Sequence, residues 1–258
     1  MTAGRKPLKG IFETGETAMS AWLGSPDPFT QEAFFRADFD IVTLDMQHGL
    51  IDQSDVRDAI TRAHGFGRQV VVRVPVDAFA LASWVLDMGA GGIIAPMIET
   101  ADEARAFVRH AKYPPLGLRS FGPIRAALLS ADGDAGAYVA KANTETFAFA
   151  MIETRRALDA IDEIAGIEGL DGLFVGPSDL SIALSDDGRA DLEGARLKTA
   201  MADIVAACSR HGKIAACYAT NPGQARLYSG FGFSYVCVGS DLKVIADGTA
   251  QLASDLRG

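Results

Sequence analysis

The strongest constraint on this chain is a recurrence. A short apolar run suited to a β-strand is followed by a helical pattern eight times, with no linker or low-complexity break. The strand-like runs are "AMSAWLG", "DIVTLDM", "QVVVRVP", "GGIIAPMI", "FAFAMIE", "GLFVGP", "KIAACYA" and "SYVCVGS". Each is short, rich in Val, Ile, Phe or Ala, and apolar on both faces, as parallel strands covered by helices should be. Between them lie stretches with apolar residues three and four apart, such as Ile204, Ala207 and Cys208. Gly89, Gly212 and Gly232 stand where those helices should stop.

Eight such units in 258 residues match a closed (β/α)8 TIM barrel, read as a single domain over residues 1–258. A doubly wound open sheet is the competing architecture. It would use fewer strands and carry a Gly-rich phosphate turn after the first, and neither GxGxxG nor GxxxxGK[ST] is present. One segment breaks the rhythm: "YPPLGLRSFGPIRAALLSADGDAGAYVAKAN", about residues 113–143, exceeds normal connection lengths. It reads as a long irregular stretch that folds back over the barrel mouth. A solvated Gly- and Pro-rich turn is the plainer reading.

Composition narrows the function classes. A formal charge of -9, with no Lys/Arg cluster, argues against a nucleic-acid surface. It does not exclude an anionic small substrate, which needs only local positive charge. No run of about 18 apolar residues exists to span a membrane. The N-terminus "MTAGRKPLKGIF" has no apolar signal core. Cys208, Cys217 and Cys237 are odd in number and fit no CxxC spacing, so they read as reduced core thiols of a cytoplasmic protein.

In a barrel of this kind, chemistry gathers at the C-terminal ends of the strands, so polar residues ending the runs are the candidates. The second run ends in Asp45, with His48 just beyond; the third ends in Arg73; the fifth ends in Glu153; after the sixth, "FVGPSDLS" places Asp179 at a helix start. Glu153 and Asp179 belong to adjacent strand tips, about 4.8 Å apart, so their carboxylates can meet on one hard divalent cation. No second histidine or cysteine is placed for a zinc site. Plainer readings stand beside these: Asp179 as a helix N-cap, Glu153 in a salt bridge to Arg155 or Arg156, Arg73 in a structural pair with Asp45, and His48 as a satisfied structural histidine. In the functional version Arg73 faces a substrate oxygen that becomes negative. His48 is then a general base with Asp45 holding its ring.

Together and in this order, "TLDMQHGL", "VVVRVP", "GGIIAPMIET", "YPPLGLRSFGP", "AMIET" and "FVGPSDLS" resemble the HpcH/HpaI family of metal-dependent class II pyruvate aldolases. The resemblance is to its short hydroxy-ketoacid branch rather than the longer citrate-lyase-β and malyl-CoA-lyase branch. It implies reversible cleavage of 4-hydroxy-2-oxo acids to pyruvate, or an analogue, plus an aldehyde. It also implies one divalent cation per subunit (Mg, Mn or Co) on Glu153 and Asp179, and no organic cofactor. By the same resemblance Arg73 stabilises an enolate oxygen and His48 moves the proton of the 4-hydroxyl. Gly176, Pro177, Ser178 and Asp179 cradle the carboxylate, and Asp87 is supplied by a neighbouring subunit of a homo-oligomer, a trimer or hexamer. The last helix, "DLKVIADGTAQLASDLRG", is expected to be exchanged between partners. Two departures stand out: Gln47 where the family commonly has Glu, and Met151 where many members have Gln. Candidates for the aldehyde end are Ser120, Phe121, Leu180 and Tyr218.

Two alternatives remain at this point. One is oxaloacetate decarboxylation on the same site. The other is a non-catalytic barrel that binds 2-oxo acids, which would be expected to lack a metal ligand. A Schiff-base aldolase would need a lysine on a strand, and Lys213 lies at the start of its strand, on the wrong rim, while Lys141 lies in the long segment.

Overall fold

The computed structural model describes residues 6–257, so the first part of the N-terminal stretch and residue 258 of the expected domain lie outside the described residues. Strands β1 (Ala18–Leu23), β2 (Ile41–Asp45), β3 (Gln69–Arg73), β4 (Gly92–Ala95), β5 (Phe147–Ile152), β6 (Gly172–Val175), β7 (Ile214–Ala219) and β8 (Tyr235–Val238) each pair in parallel with the next. Pairing of β8 with β1, Ala18 opposite Tyr235, closes the barrel. The closed barrel expected from the eightfold pattern is therefore present, and the open sheet is not.

Helix α1 (Leu8–Phe12) precedes β1, and α2 (Pro28–Arg36), α3 (Gln53–Gly65), α4 (Phe79–Asp87) and α5 (Ala101–Ala111) follow the first four strands. Capping boxes open α3, at Asp52 and Asp55, and α5, at Thr100 and Glu103. The turns after α4, α11 (Ala195–Arg210) and α12 (Pro222–Gly230) use Gly89, Gly212 and Gly232 at φ of 104°, 63° and 102°. After β5 come two short helices, α8 (Arg155–Asp159) and α9 (Ile161–Ala165), and after β6 comes α10 (Pro177–Leu184) ahead of α11.

Alternation along the strands builds two cores. Inward residues such as Ile41, Val71, Ile94, Phe149, Phe174 and Tyr235 fill the barrel, and Leu8 and Ile11 of α1 plug its lower end. Outward residues such as Val42, Leu44, Val70, Val72 and Val236 pack under the helices. Inside the barrel Thr43 Oγ1 is hydrogen-bonded to Ser20 Oγ at 2.8 Å and to Tyr235 Oη at 2.6 Å. All three cysteines are free and buried. No helix among the described residues is long and apolar enough to cross a membrane.

The segment expected to be irregular is largely helical: α6 (Ile124–Ser130) and α7 (Ala135–Glu145) lie between α5 and β5. Nor does it cover the mouth. Helix α5 runs against the strand direction, so the chain leaves it at the N-terminal rim. There Lys112 Nζ donates to the carbonyls of Asn143 and Thr146, just before β5. Tyr113, Ala126, Ala127, Tyr138 and Ala142 make a small separate core that explains the order. The last helix, α13 (Asp241–Asp255), buries Asp241, while every residue from Leu242 to Arg257 is exposed. Its apolar residues, among them Val244, Ile245 and Leu252, find no cover among the described residues.

Candidate active site

Register places Asp45, the last residue of β2, opposite Arg73, the last residue of β3. The guanidinium grips the carboxylate with both arms, Arg73 Nε to Asp45 Oδ1 at 2.9 Å and Nη2 to Oδ2 at 2.7 Å. Burial of Asp45 works to raise its pKa, but the pair with Arg73 and the backbone N–H groups of Gln47 and His48 outweigh it and hold the carboxyl below its usual range. Asp45 thus grips the backbone of the β2 tip and not the His48 imidazole, which corrects the expected ring contact. Trp22, at the end of β1, donates its indole N–H to Asp45 Oδ2 at 3.3 Å and lays its ring 4.8 Å from the Arg73 guanidinium carbon. The structural pair of Arg73 and Asp45 therefore exists. It occupies Nε and Nη2 and leaves Nη1 without a hydrogen-bond partner among the described residues.

Glu153 follows β5 and Gly176 follows β6, and the pairing of Ile152 with Val175 sets them side by side. Glu153 is 3% exposed. Its Oε2 accepts the N–H of Met97 at 2.9 Å, and Met97 adopts φ of 57° just after β4 to aim that group. Burial pushes the Glu153 carboxyl up to about 7, and the negative charge of Asp179 adds to the rise. The plainer readings of the two acids fail. Arg156 pairs with Glu99 and Arg155 donates to the Ala183 carbonyl, so neither neutralises Glu153. The N-cap of α10 is Gly176, and Asp179 sits in its first turn without a capping hydrogen bond.

These side chains face one pocket of about 290 Å³, at the C-terminal rim of the barrel. Asp45, His48, Arg73, Glu153, Asp179 and Tyr218 line it, with Gly176, Pro177 and Ser178 along one edge. Trp22, Met151 and Phe174 also line it and are buried in the barrel core, giving it an apolar floor. Trp22 was missed in the sequence because it reads there as one more apolar strand residue. The usable signal is its phase: it alternates inward with Ala18 and lies in the last pair of β1. Ser240 and Leu242, after β8, also line the pocket and were not singled out.

Four candidates lie elsewhere. Leu180 is fully buried in the layer between barrel and helices, one helical step round from Asp179. Asp87 ends α4, which runs away from the mouth, and pairs with Arg119 at 2.6 Å. Ser120 and Phe121 follow Arg119 and are exposed, so neither they nor Asp87 lines this chain's own pocket. Arg119 itself is sandwiched by Tyr113 and Tyr138, with ring centroids 4.5 and 5.8 Å away.

Chemically the rim combines two neighbouring carboxylates, one of them buried and in no salt bridge among the described residues, and an arginine with one free arm. Such an oxygen-only pair suits a hard divalent cation that keeps other positions for substrate and water. Among the described residues no group of three or more His, Cys, Asp or Glu side chains is gathered for a metal; of the carboxylates that line the pocket, Asp45 is paired with Arg73, and Glu153 and Asp179 form no salt bridge. Among the described residues no lysine lines the pocket, and Lys213 donates to the Ile167 and Leu170 carbonyls at the other end of the barrel.

Comparison with known proteins bears on this rim. A family model described as HpcH/HpaI aldolase/citrate lyase matches residues 19–248. The chain is 37% identical over 250 residues to a hydroxypyruvate/pyruvate aldolase of Rhizorhabdus wittichii, covering 97% of this chain and 98% of the relative. It is 32% identical over 250 residues to a 5-keto-4-deoxy-D-glucarate aldolase of Shigella dysenteriae, covering 97% and 96%. Its fold is similar, with a TM-score of 0.87 at 30% identity, to the crystal structure of an HpcH/HpaI aldolase/citrate lyase family protein from Burkholderia cenocepacia, covering 97% and 99%.

Proposed function

Since the chain belongs to the HpcH/HpaI aldolase/citrate lyase family, and is thus an enzyme of that kind, we propose that it is a divalent-metal-dependent aldolase. It reversibly cleaves 4-hydroxy-2-oxo acids to pyruvate, or a pyruvate analogue, and an aldehyde. The observation that carries this reading is the Glu153 and Asp179 pair facing Arg73 across one pocket, with Glu153 buried and in no salt bridge among the described residues. Names of relatives at 37% and 32% identity, aldolases of hydroxypyruvate/pyruvate and of a keto-deoxy-glucarate, support the class of substrate.

Glu153 and Asp179 would hold the cation, one per subunit, which supplies positive charge beside the 2-oxo oxygen as negative charge grows there. Arg73, oriented by Asp45, donates from its free Nη1 to the same developing oxyanion. The amides of Ser178 and Asp179 at the start of α10 receive the substrate carboxylate; Pro177 has no N–H and only shapes the turn. His48 accepts the proton of the 4-hydroxyl as the carbon–carbon bond breaks and returns it in the reverse direction. Tyr218 and Trp22, ring centroids 5.3 Å apart, wall the pocket beside it. Exposure of the apolar residues of α13, and the position of Asp87 outside its own pocket, support a homo-oligomer in which a neighbour completes the aldehyde end.

The test is protein stripped with EDTA, re-supplied separately with Mg, Mn and Co, and assayed for pyruvate release from a panel of 4-hydroxy-2-oxo acids. Cleavage restored by at least one metal is expected. Full activity in the stripped protein sinks the proposal.

A further inference from the structure

The proposed chemistry leaves one fully buried carboxylate unused. Asp241, the first residue of α13, is 0% exposed and pairs with no cation among the described residues. Its Oδ1 accepts the N–H of Gly24 at 2.9 Å and of Leu242 at 2.8 Å, and its Oδ2 accepts the N–H of Ser25 at 2.9 Å. Gly24 and Ser25 form the turn leaving β1. A charged group enclosed this way costs several kcal/mol of desolvation unless its lone pairs are met, and here backbone amides from two segments meet them.

That turn is in turn locked to the loop carrying His48. The Gly24 carbonyl accepts the N–H of Leu50 at 2.7 Å. Gly24 and Gly49 touch backbone to backbone: a Cβ built on Gly49 would stand 2.9 Å from Gly24 Cα and collide with the Asp45 carbonyl oxygen. No residue but glycine fits there, so the contact leaves no slack. Three segments are thus laminated at the pocket rim, 240–242, 24–25 and 48–50. Gly24, His48, Gly49, Ser240 and Leu242 all line the pocket. The His48 side chain is exposed and its ring has no hydrogen bond among the described residues, so where it stands follows the backbone that carries it.

We infer that Asp241 is a positioning residue for His48. It ties the root of α13 to the β1 turn and, through the Gly24–Gly49 contact, sets where the imidazole stands in the pocket. The inference concerns His48's placement, and only its kinetic arm rests on the function proposed above.

The test replaces Asp241→Asn in the full chain. Whichever way the new amide turns, its NH2 faces a backbone N–H, so at least one arm of the clasp opens. The first readout is activity-independent. The four histidines are His48, His64, His110 and His211, and their imidazole NMR signals are followed, with that of His48 assigned by His48→Gln. We expect the His48 signal to shift or broaden in Asp241→Asn while the other three hold. The second readout compares two reactions of the metal-loaded protein. Aldol cleavage, which uses His48, should fall about tenfold or more, as loss of placement by a fraction of an ångström to 1 Å does elsewhere. Deuterium exchange at the pyruvate methyl, which in the proposed chemistry does not use the 4-hydroxyl proton relay, should stay within about twofold. An unmoved His48 signal in folded Asp241→Asn overturns the inference, and so does a parallel loss of both reactions. If Asp241→Asn does not fold, Asp241→Glu, which keeps the charge but displaces it by one methylene, is read the same way. A wild-type protein without cleavage under any metal would refute the proposed reaction, and the NMR arm would still decide the role of Asp241.

Discussion

Glu153 Oε1 lies so near the backbone of Gly176 that a Cβ built on residue 176 would stand 2.5 Å from it. The two residues end adjacent strands, and the absence of a side chain on one is what lets the other point into the pocket. Gly176→Ala should therefore push the Glu153 carboxylate aside while leaving the barrel folded. Isothermal titration with Mn should show affinity reduced by tenfold or more, the usual cost of disturbing a metal ligand's surroundings. Wild-type affinity in Gly176→Ala would mean that Glu153 does not ligate.

Burial gives Glu153 a pH signature. Its pKa stands near 7 in the metal-free folded chain against 4.5 as the ordinary value. The folded state thus holds this proton more tightly than the unfolded one. The resulting stability is fully present below about pH 4.5 and is lost as pH rises through about 7, a loss on the order of 3 kcal/mol. The melting temperature of EDTA-treated protein should fall by roughly 5 to 10 °C between pH 5 and pH 8 from this group. Glu153→Gln should remove that slope, and saturating metal should flatten it by favouring the ionised form. A slope unchanged by Glu153→Gln would assign the effect elsewhere.

The reach of sequence reasoning is visible in these same residues. Strand tips are legible because an apolar run ending in Asp45, Arg73 or Glu153 leaves a charged group where burial is costly, and closure of the barrel brings the tips together. Leu180 is adjacent to Asp179 in sequence but not in space: one residue of α10 turns through about 100°, so Asp179 faces the pocket and Leu180 the helix layer. Ser120 and Phe121 lie away from this chain's own pocket because α5, returning from the mouth, delivers the next segment to the opposite rim. The helices α6 and α7 were hidden by flanking Gly and Pro, although the Asp134 cap, which accepts the Ala137 N–H, is a readable start signal. Trp22 was hidden by its chemistry. An indole counts as apolar in any pattern, and its N–H matters only once Asp45 lies 3.3 Å away.

Asp45 and Arg73 supply a third prediction, on stability. Their side chains are 6% and 9% exposed, and Asp45 also satisfies the indole of Trp22 and two backbone amides. Asp45→Ala leaves a buried guanidinium without its partner and should cost about 3 kcal/mol or more in urea unfolding. Arg73→Lys should restore neither the two-armed contact nor turnover, since an ammonium cannot present the planar fork. A stability loss within about 0.5 kcal/mol for Asp45→Ala would show that the pair is solvated in practice.

Removing the His48 imidazole separates the two enzymatic readings of this rim. Both aldol cleavage and decarboxylation of oxaloacetate develop negative charge on the 2-oxo oxygen, so both draw on Arg73 and on the carboxylates of Glu153 and Asp179. Only cleavage must also remove the proton of a 4-hydroxyl, and among the described residues His48 is the one imidazole lining the pocket. His48→Ala should lower cleavage by roughly 100-fold, within the range of a lost general base, with KM little changed. Carbon dioxide release from oxaloacetate and methyl deuterium exchange in pyruvate should fall by no more than about threefold. Arg73→Ala should depress all three together. Equal losses of all three in His48→Ala would assign the imidazole to the oxyanion rather than to the hydroxyl, and the proton relay would have to be sought on the neighbouring subunit.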